Sequence, residues 1–185
     1  MKKIIALVLS LMMLMGCTAA LAETAQKESL AVLKVNGAFD IQYTKLPDDY
    51  QLTVIQQDDN GLYAYYVSTD STKPFYGIGI GFNDAWAEVE KFNDVSQEDI
   101  DAIEESFYEV DNNWTFETKE TAHGTKLLIA VNGDKTMASV YTIYLGHEIE
   151  VQIIPGAGAE TITEENIDTV INFLSDMDFV ALAAE

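Results

Sequence analysis

The chain has 185 residues, with 10 lysines and no arginine against 31 Asp plus Glu, for a net charge of −21, together with two histidines and one cysteine. That balance excludes nucleic acid and anionic membrane surfaces as partners, since both are bound through clustered Lys and Arg. The single cysteine, Cys17, lies near the start, so the rest of the chain has no disulfide, thiol nucleophile or thiolate metal site.

Lys2-Lys3 followed by the apolar run Ile4 to Met15 has the form of an export signal. The run is too short for a transmembrane helix, which takes about 20 apolar residues. Two cleavage readings compete. Ala20-Leu21-Ala22 fits ordinary signal peptidase and makes 1–22 the leader. Leu14-Met15-Gly16-Cys17 resembles a lipobox, which would make 1–16 the leader and lipidate Cys17. Either way the expected location is extracytoplasmic, secreted or lipid-anchored on the outer face of a bacterial cytoplasmic membrane. Without 1–22 the chain keeps eight lysines and 31 acids, a net of −23. Such acidity keeps an exported protein soluble, or attracts cations or a basic partner.

Residues 23–36 read as a linker or an N-terminal strand, and 37–182 as a single α+β domain. Leu30 to Val35 and Phe39 to Tyr43 flank Asn36-Gly37, a hairpin signal. Leu46-Pro47-Asp48-Asp49-Tyr50 is a turn, with Pro47 fixing φ. Leu52 to Gln57 and Leu62 to Val67 form a hairpin across Asp58-Asp59-Asn60-Gly61, and Phe75 to Phe82 is a further strand. A short helix begins near Asn83-Asp84 with Trp86 and Val89 inward. A longer one is capped by Ser96 with Asp99 three residues on, and presents Ile100, Ile103 and Phe107 to the core.

Four strands follow: Trp114–Glu120, Thr125–Asn132, Thr136–Leu145 and His147–Ile154. Asn132-Gly133 and Gly146-His147 supply hairpin turns, because Asn and Gly accept positive φ. Leu127 to Val131 is apolar on both faces and should lie centrally. The last strand alternates, Ile149, Val151 and Ile153 facing the core and Glu148, Glu150 and Gln152 facing water. Thr163 caps a final helix with Ile167, Val170, Ile171 and Leu174 inward, and Met177 to Val180 closes the chain as an extended tail. The expected fold is an antiparallel sheet of about six or seven strands packed with two main helices.

Candidate chemistry is sparse. Gly77-Ile78-Gly79-Ile80-Gly81 is no phosphate loop. Its glycines share one face of a strand, leaving a flat strip for a helix, a ring or a ligand, and intramolecular packing is the favoured use. His147-Glu148-Ile149-Glu150 lacks the second histidine of a zinc-binding helix. His123 and His147 are the acid–base candidates of a hydrolase alternative, paired with a carboxylate, against the plainer reading of exposed turn histidines. No serine sits in a nucleophile elbow. Asp48-Asp49 and Asp58-Asp59-Asn60 lack EF-hand spacing, so a calcium-responsive acidic surface is a third reading. Tyr63 and Tyr65 would make an amphipathic contact strip if they share the uncovered face, against the plainer and favoured reading of scattered exposed tyrosines. The candidate binding-surface residues are thus Tyr63, Tyr65, His123 and His147, with no catalytic, cofactor or metal residue assigned.

The order of elements carries a resemblance. Phe39-x-Ile41 precedes the Pro47 turn, strands and an acidic helix follow, Thr121-Ala122-His123-Gly124-Thr125-Lys126 opens the meander, and a helix ending in Leu174-Ser175 closes it. This resembles the PsbP-like fold shared by the photosystem extrinsic protein, a Ran-binding import factor and many bacterial lipoproteins, over about Gly37 to Val180. Gly124 matches a common glycine before the meander, whereas Tyr50 stands where the family often has Pro-x-x-Trp. The resemblance implies an α-β-α sandwich and a non-catalytic accessory or binding module, with an envelope protein or small ligand as partner and no catalytic residue. The chain is also similar to small uncharacterised exported proteins of Gram-positive gut bacteria.

Overall fold

Period-two runs broken by turn residues become strands, and here they build two antiparallel sheets. The computed structural model describes residues 31–35, 39–43, 49–58, 61–108, 113–121 and 124–181. The smaller sheet places β2 (Phe39–Tyr43) between β1 (Ala31–Val35) and β10 (Met177–Ala181). The extended tail therefore pairs with the start of the chain, Phe179 across from Ile41. The larger sheet has seven strands: β3 (Tyr50–Asp58), β4 (Gly61–Ser68), β5 (Phe75–Phe82), β6 (Trp114–Glu120), β7 (Lys126–Asn132), β8 (Ala138–Tyr144) and β9 (His147–Ile154). Their spatial order is β3-β4-β5-β9-β8-β7-β6. The edge strand β3 carries a bulge between Val54 and Gln56. The class is α+β.

Helix α1 (Gln97–Tyr108) starts where the sequence signals it. The Ser96 hydroxyl accepts the Asp99 amide at 3.2 Å and donates to the Asp99 carboxylate at 2.6 Å. Helix α2 (Glu164–Asp176) is capped reciprocally: Thr163 Oγ1 accepts the Asn166 amide, and Asn166 Oδ1 accepts the Thr163 amide. The short helix expected at Asn83 is a single 3-10 turn, Asp84–Trp86, with Asn83 as its cap. Among the described residues no helix is long and apolar enough to cross a membrane.

The helices take opposite faces of the large sheet. Ile167 and Val170 of α2 pack with Leu62, Ile78, Ile80, Val140, Ile149 and Val151. Ile100, Ile103 and Phe107 of α1, with Trp86 and Phe92, pack on Leu128, Ala130, Tyr141 and Ile143. β7 contributes to both clusters, through Leu127 and Ile129 on one side and Leu128 and Ala130 on the other. It is covered above and below as its composition requires, yet it lies one strand from the edge. The centre belongs to β9.

That position overturns one expectation. Glu148, Glu150 and Gln152 do not face water: they are only 3, 1 and 2% exposed. Alternation along β9 separates two buried faces, one apolar and one polar, because a middle strand has cover on each side.

The turns split. Leu145-Gly146 joins β8 to β9 with φ of 47° and 73°, the I′ pattern of a two-residue hairpin. A Cβ on Gly146 would come within 2.8 Å of the Phe82 ring. The β7–β8 connection is longer than a two-residue Asn-Gly hairpin and takes its positive φ at Lys135. Asn132 remains in β7, buried, and clamps the loop. Its Nδ2 donates to Thr136 Oγ1 and its Oδ1 accepts the Met137 amide.

Candidate functional site

Cross-strand register assembles a polar patch on the α1 face of the large sheet. Glu148, Glu150 and Gln152 of β9 stand across from Gly81, Gly79 and Gly77 of β5. Beyond the glycines, β4 presents Tyr63 across from Gly79 and Tyr65 across from Gly77. On the other flank β8 sets Tyr141 across from Glu150 and Ser139 across from Gln152. The three glycines and the three polar residues of β9 are thus complementary stretches of neighbouring strands.

The two carboxylates, borne by residues about 6.7 Å apart along the strand backbone, have different surroundings. Glu148 Oε1 accepts three hydrogen bonds, from Trp86 Nε1 at 2.8 Å, Asn83 Nδ2 at 2.9 Å and the Tyr141 hydroxyl at 3.0 Å. The Asn83 cap and the 3-10 turn behind it position two of these donors, so the turn is tied to the sheet through one oxygen. Glu150 Oε1 accepts the Ser139 hydroxyl at 2.5 Å and the Gln152 amide at 3.3 Å, while Oε2 is buried with no hydrogen-bond partner. Among the described residues no lysine forms an ion pair with either acid. Burial raises the Glu150 carboxyl above its ordinary 4.5 and neighbouring Glu148 adds to the rise, against the Ser139 and Gln152 hydrogen bonds. Tyr141 is pushed well above 10, first by burial and then by Glu148.

Tyr63 and Tyr65 are half-buried beside the glycine strip. The Tyr65 ring lies 4.7 Å from that of Phe75, and its hydroxyl oxygen is buried without a partner. Burial raises its pKa. His147 is buried rather than an exposed turn residue. Its Nδ1 lies 2.7 Å from the Leu145 carbonyl, and its ring meets Phe82 edge-on at 5.2 Å. Burial lowers its pKa below 6.5, partly offset by hydrogen bonds to the Leu145 and Tyr144 backbone. By strand alternation His147 shares the face of Ile149 and Val151, opposite to Glu148. His123, Cys17 and the Asp59-Asn60 turn lie outside the described residues. Asp49 is engaged by Lys73 at 2.8 Å and by the Ser68 hydroxyl, which together lower its pKa.

The residues that sequence reasoning missed are Glu148, Glu150 and Ser139. The signal that could have found them was the match between the Gly-x-Gly-x-Gly spacing of β5 and the Glu-x-Glu-x-Gln spacing of β9. A glycine beside a large buried acid keeps the layer's volume manageable. In the comparisons with known proteins, no protein-family model and no curated protein matches this chain.

Proposed function

We propose that the protein is an exported, non-catalytic binding or accessory module of the bacterial cell envelope, built as a PsbP-like α-β-α sandwich. The export reading rests on Lys2-Lys3, the apolar run after it and the two cleavage patterns. The sandwich is supported by α1 and α2 packing on opposite faces of one antiparallel sheet.

The observation that carries the non-catalytic reading is the separation of polar groups across β9. Acid–base catalysis needs the base within hydrogen-bond reach of its partners. Here His147 points to one face and both buried carboxylates to the other. Glu148 is spent on Asn83, Trp86 and Tyr141, a structural use. The binding site of this reading is the glycine strip, itself buried, with half-buried Tyr63 and Tyr65 beside it.

Two measurements test the reading. Expression with the leader intact, followed by fractionation, should recover the chain outside the cytoplasm, with mass spectrometry showing a start at Glu23 or at lipidated Cys17. A screen of ester, amide, glycoside and phosphate substrates should find no turnover that His147→Ala abolishes. A cytoplasmic chain, or a turnover lost in that variant with the fold intact, overturns the proposal.

A further inference from the structure

Glu150 carries an oxygen for which the fold has no use. Its Oε2 is buried with no hydrogen-bond partner in a residue only 1% exposed, and the Tyr65 hydroxyl oxygen is buried and unpartnered too. Both side chains rise from the same face of the sheet. Between their strands runs β5, which offers only Gly77 and Gly79 at those positions. Glycine puts no side chain between the two oxygens, so backbone is the floor there. An unmet buried carboxylate oxygen is costly, more so than an unmet neutral group, and such a group calls for a proton, a water or a ligand.

The chemistry of that ligand follows from the surroundings. Glu148 lies two residues away on the same face, so an anion is repelled. Both orphaned oxygens can accept a hydrogen bond. The rings of Tyr63, Tyr65 and Phe75 stand along the strip, and aromatic faces attract cations. Among the described residues no three metal-ligating acids or histidines group together, and one carboxylate with a phenol is a poor metal set. Resting on the binding-module reading, we propose that the glycine strip of β5 floors a site for a small organic ammonium ion, held by Glu150 Oε2 and the Tyr65 hydroxyl. The ammonium N–H groups donate to both oxygens, and its alkyl part lies along Gly77 and Gly79.

Calorimetry on the full chain with propylammonium chloride tests this, in about 150 mM NaCl to screen the exposed acids. Saturable binding is expected, with none for 1-propanol, which has the same carbon chain and no charge. Glu150→Gln should weaken binding roughly tenfold or more, the scale of one charge-assisted hydrogen bond. Tyr65→Phe, which keeps the ring and cannot expose a new charge, should weaken it by a smaller factor. Amide resonances of Gly77 and Gly79 should shift on titration. Equal heats for the amine and the alcohol, affinity undiminished in both variants, or shifts confined to exposed acids of the helices would overturn the inference. A water or proton alone at Oε2 would show as no saturable heat and would overturn it as well. None of these outcomes bears on the hydrolase screen or the fractionation, so the broader reading stands or falls separately.

Discussion

Glu148 and Glu150 are chemically identical and two residues apart, and their neighbours give them different work. Three buried donors converge on Glu148 Oε1, so removing that side chain strands all three. Each unsatisfied buried donor costs about 1–3 kcal/mol. Glu148→Ala should therefore lower unfolding free energy by roughly 3 kcal/mol or more in guanidinium titrations, and Tyr141→Phe by only about 1 kcal/mol. Equal losses in the two variants would mean the carboxylate is not the hub. For Glu150 the readout is pH. Its carboxyl titrates above 4.5 in the folded chain, so between the unfolded and folded values the folded state holds more protons. The Glu150 contribution to stability is then complete below 4.5 and falls as pH rises through the folded pKa, by at most about 1.4 kcal/mol per pH unit. His147 works in the opposite sense. Its pKa is lowered, so its contribution is complete above 6.5 and is lost as pH falls through the folded value. Because the two slopes oppose one another, the variants separate them: Glu150→Gln should remove the decline that sets in above pH 4.5 while leaving the rise toward pH 6.5 intact. On β9 and the strands flanking it, the titratable side chains that share Glu150's face include Glu148, Tyr141, Tyr63 and Tyr65, and farther out the same face carries Lys126 of β7 and Glu120 of β6. A Glu150→Gln profile identical to wild type from pH 4 to 8 would show that burial does not shift this carboxyl.

The elements of this fold announce themselves through local pattern, and their neighbours do not. Ser96 and Asp99 mark the start of α1 by spacing alone, and the hydrogen bonds between them are present. Losing such a cap costs about 1 kcal/mol, so Ser96→Ala should lower Tm by roughly 2–4 °C. Strands β5, β6 and β9 have the ends their turn residues and alternation indicate. The β7–β8 connection misleads because Asn132-Gly133 has the letters of a hairpin, while Asn132 uses both ends of its amide to hold a longer loop. The polar patch was illegible for a different reason. Alternation along β9 says that successive residues meet different surroundings, and strand order decides what those are. Order is non-local: β9 pairs with β5, more than 60 residues earlier in the chain. Ile129, fully buried on β7, tests the placement of an element whose cover was legible and whose position was not. Ile129→Asp puts an unpaired charge among Leu127, Val140 and α2 and should cost roughly 3–5 kcal/mol. An unchanged denaturation midpoint would place this strand at the surface.

At the scale of the molecule, repulsion between like charges dominates the surface. The net charge is −21, and both helices lay acids over the outside: Glu98, Asp101 and Glu105 on α1, Glu164, Glu165 and Asp168 on α2, all exposed. Neither helix has a basic residue in its last turn, so the negative end of each dipole is uncompensated. The ion pairs among the described residues, such as Lys119 with Glu117 at 3.1 Å and with Asp168 at 3.9 Å, join exposed side chains and stabilise little. Self-repulsion therefore outweighs attraction. Raising NaCl from about 10 mM to about 0.3 M shortens the screening length from about 30 Å to about 6 Å, so that acids on different elements no longer repel one another. Repulsion should fade faster than the short-range pairs, and Tm should rise by about 3–6 °C, the equivalent of roughly 1–2 kcal/mol for a chain of this size. Replacing Glu105 by lysine, toward the negative end of the α1 dipole, should capture part of that gain at low salt and flatten the remaining dependence, whereas Glu98→Lys in the first turn should gain less because it sets a cation against the positive end. Those variants touch neither the core nor the buried acids, so their effect is electrostatic alone. A Tm that falls with added NaCl would mean that ion pairs, few and exposed as they are, outweigh the excess of negative charge.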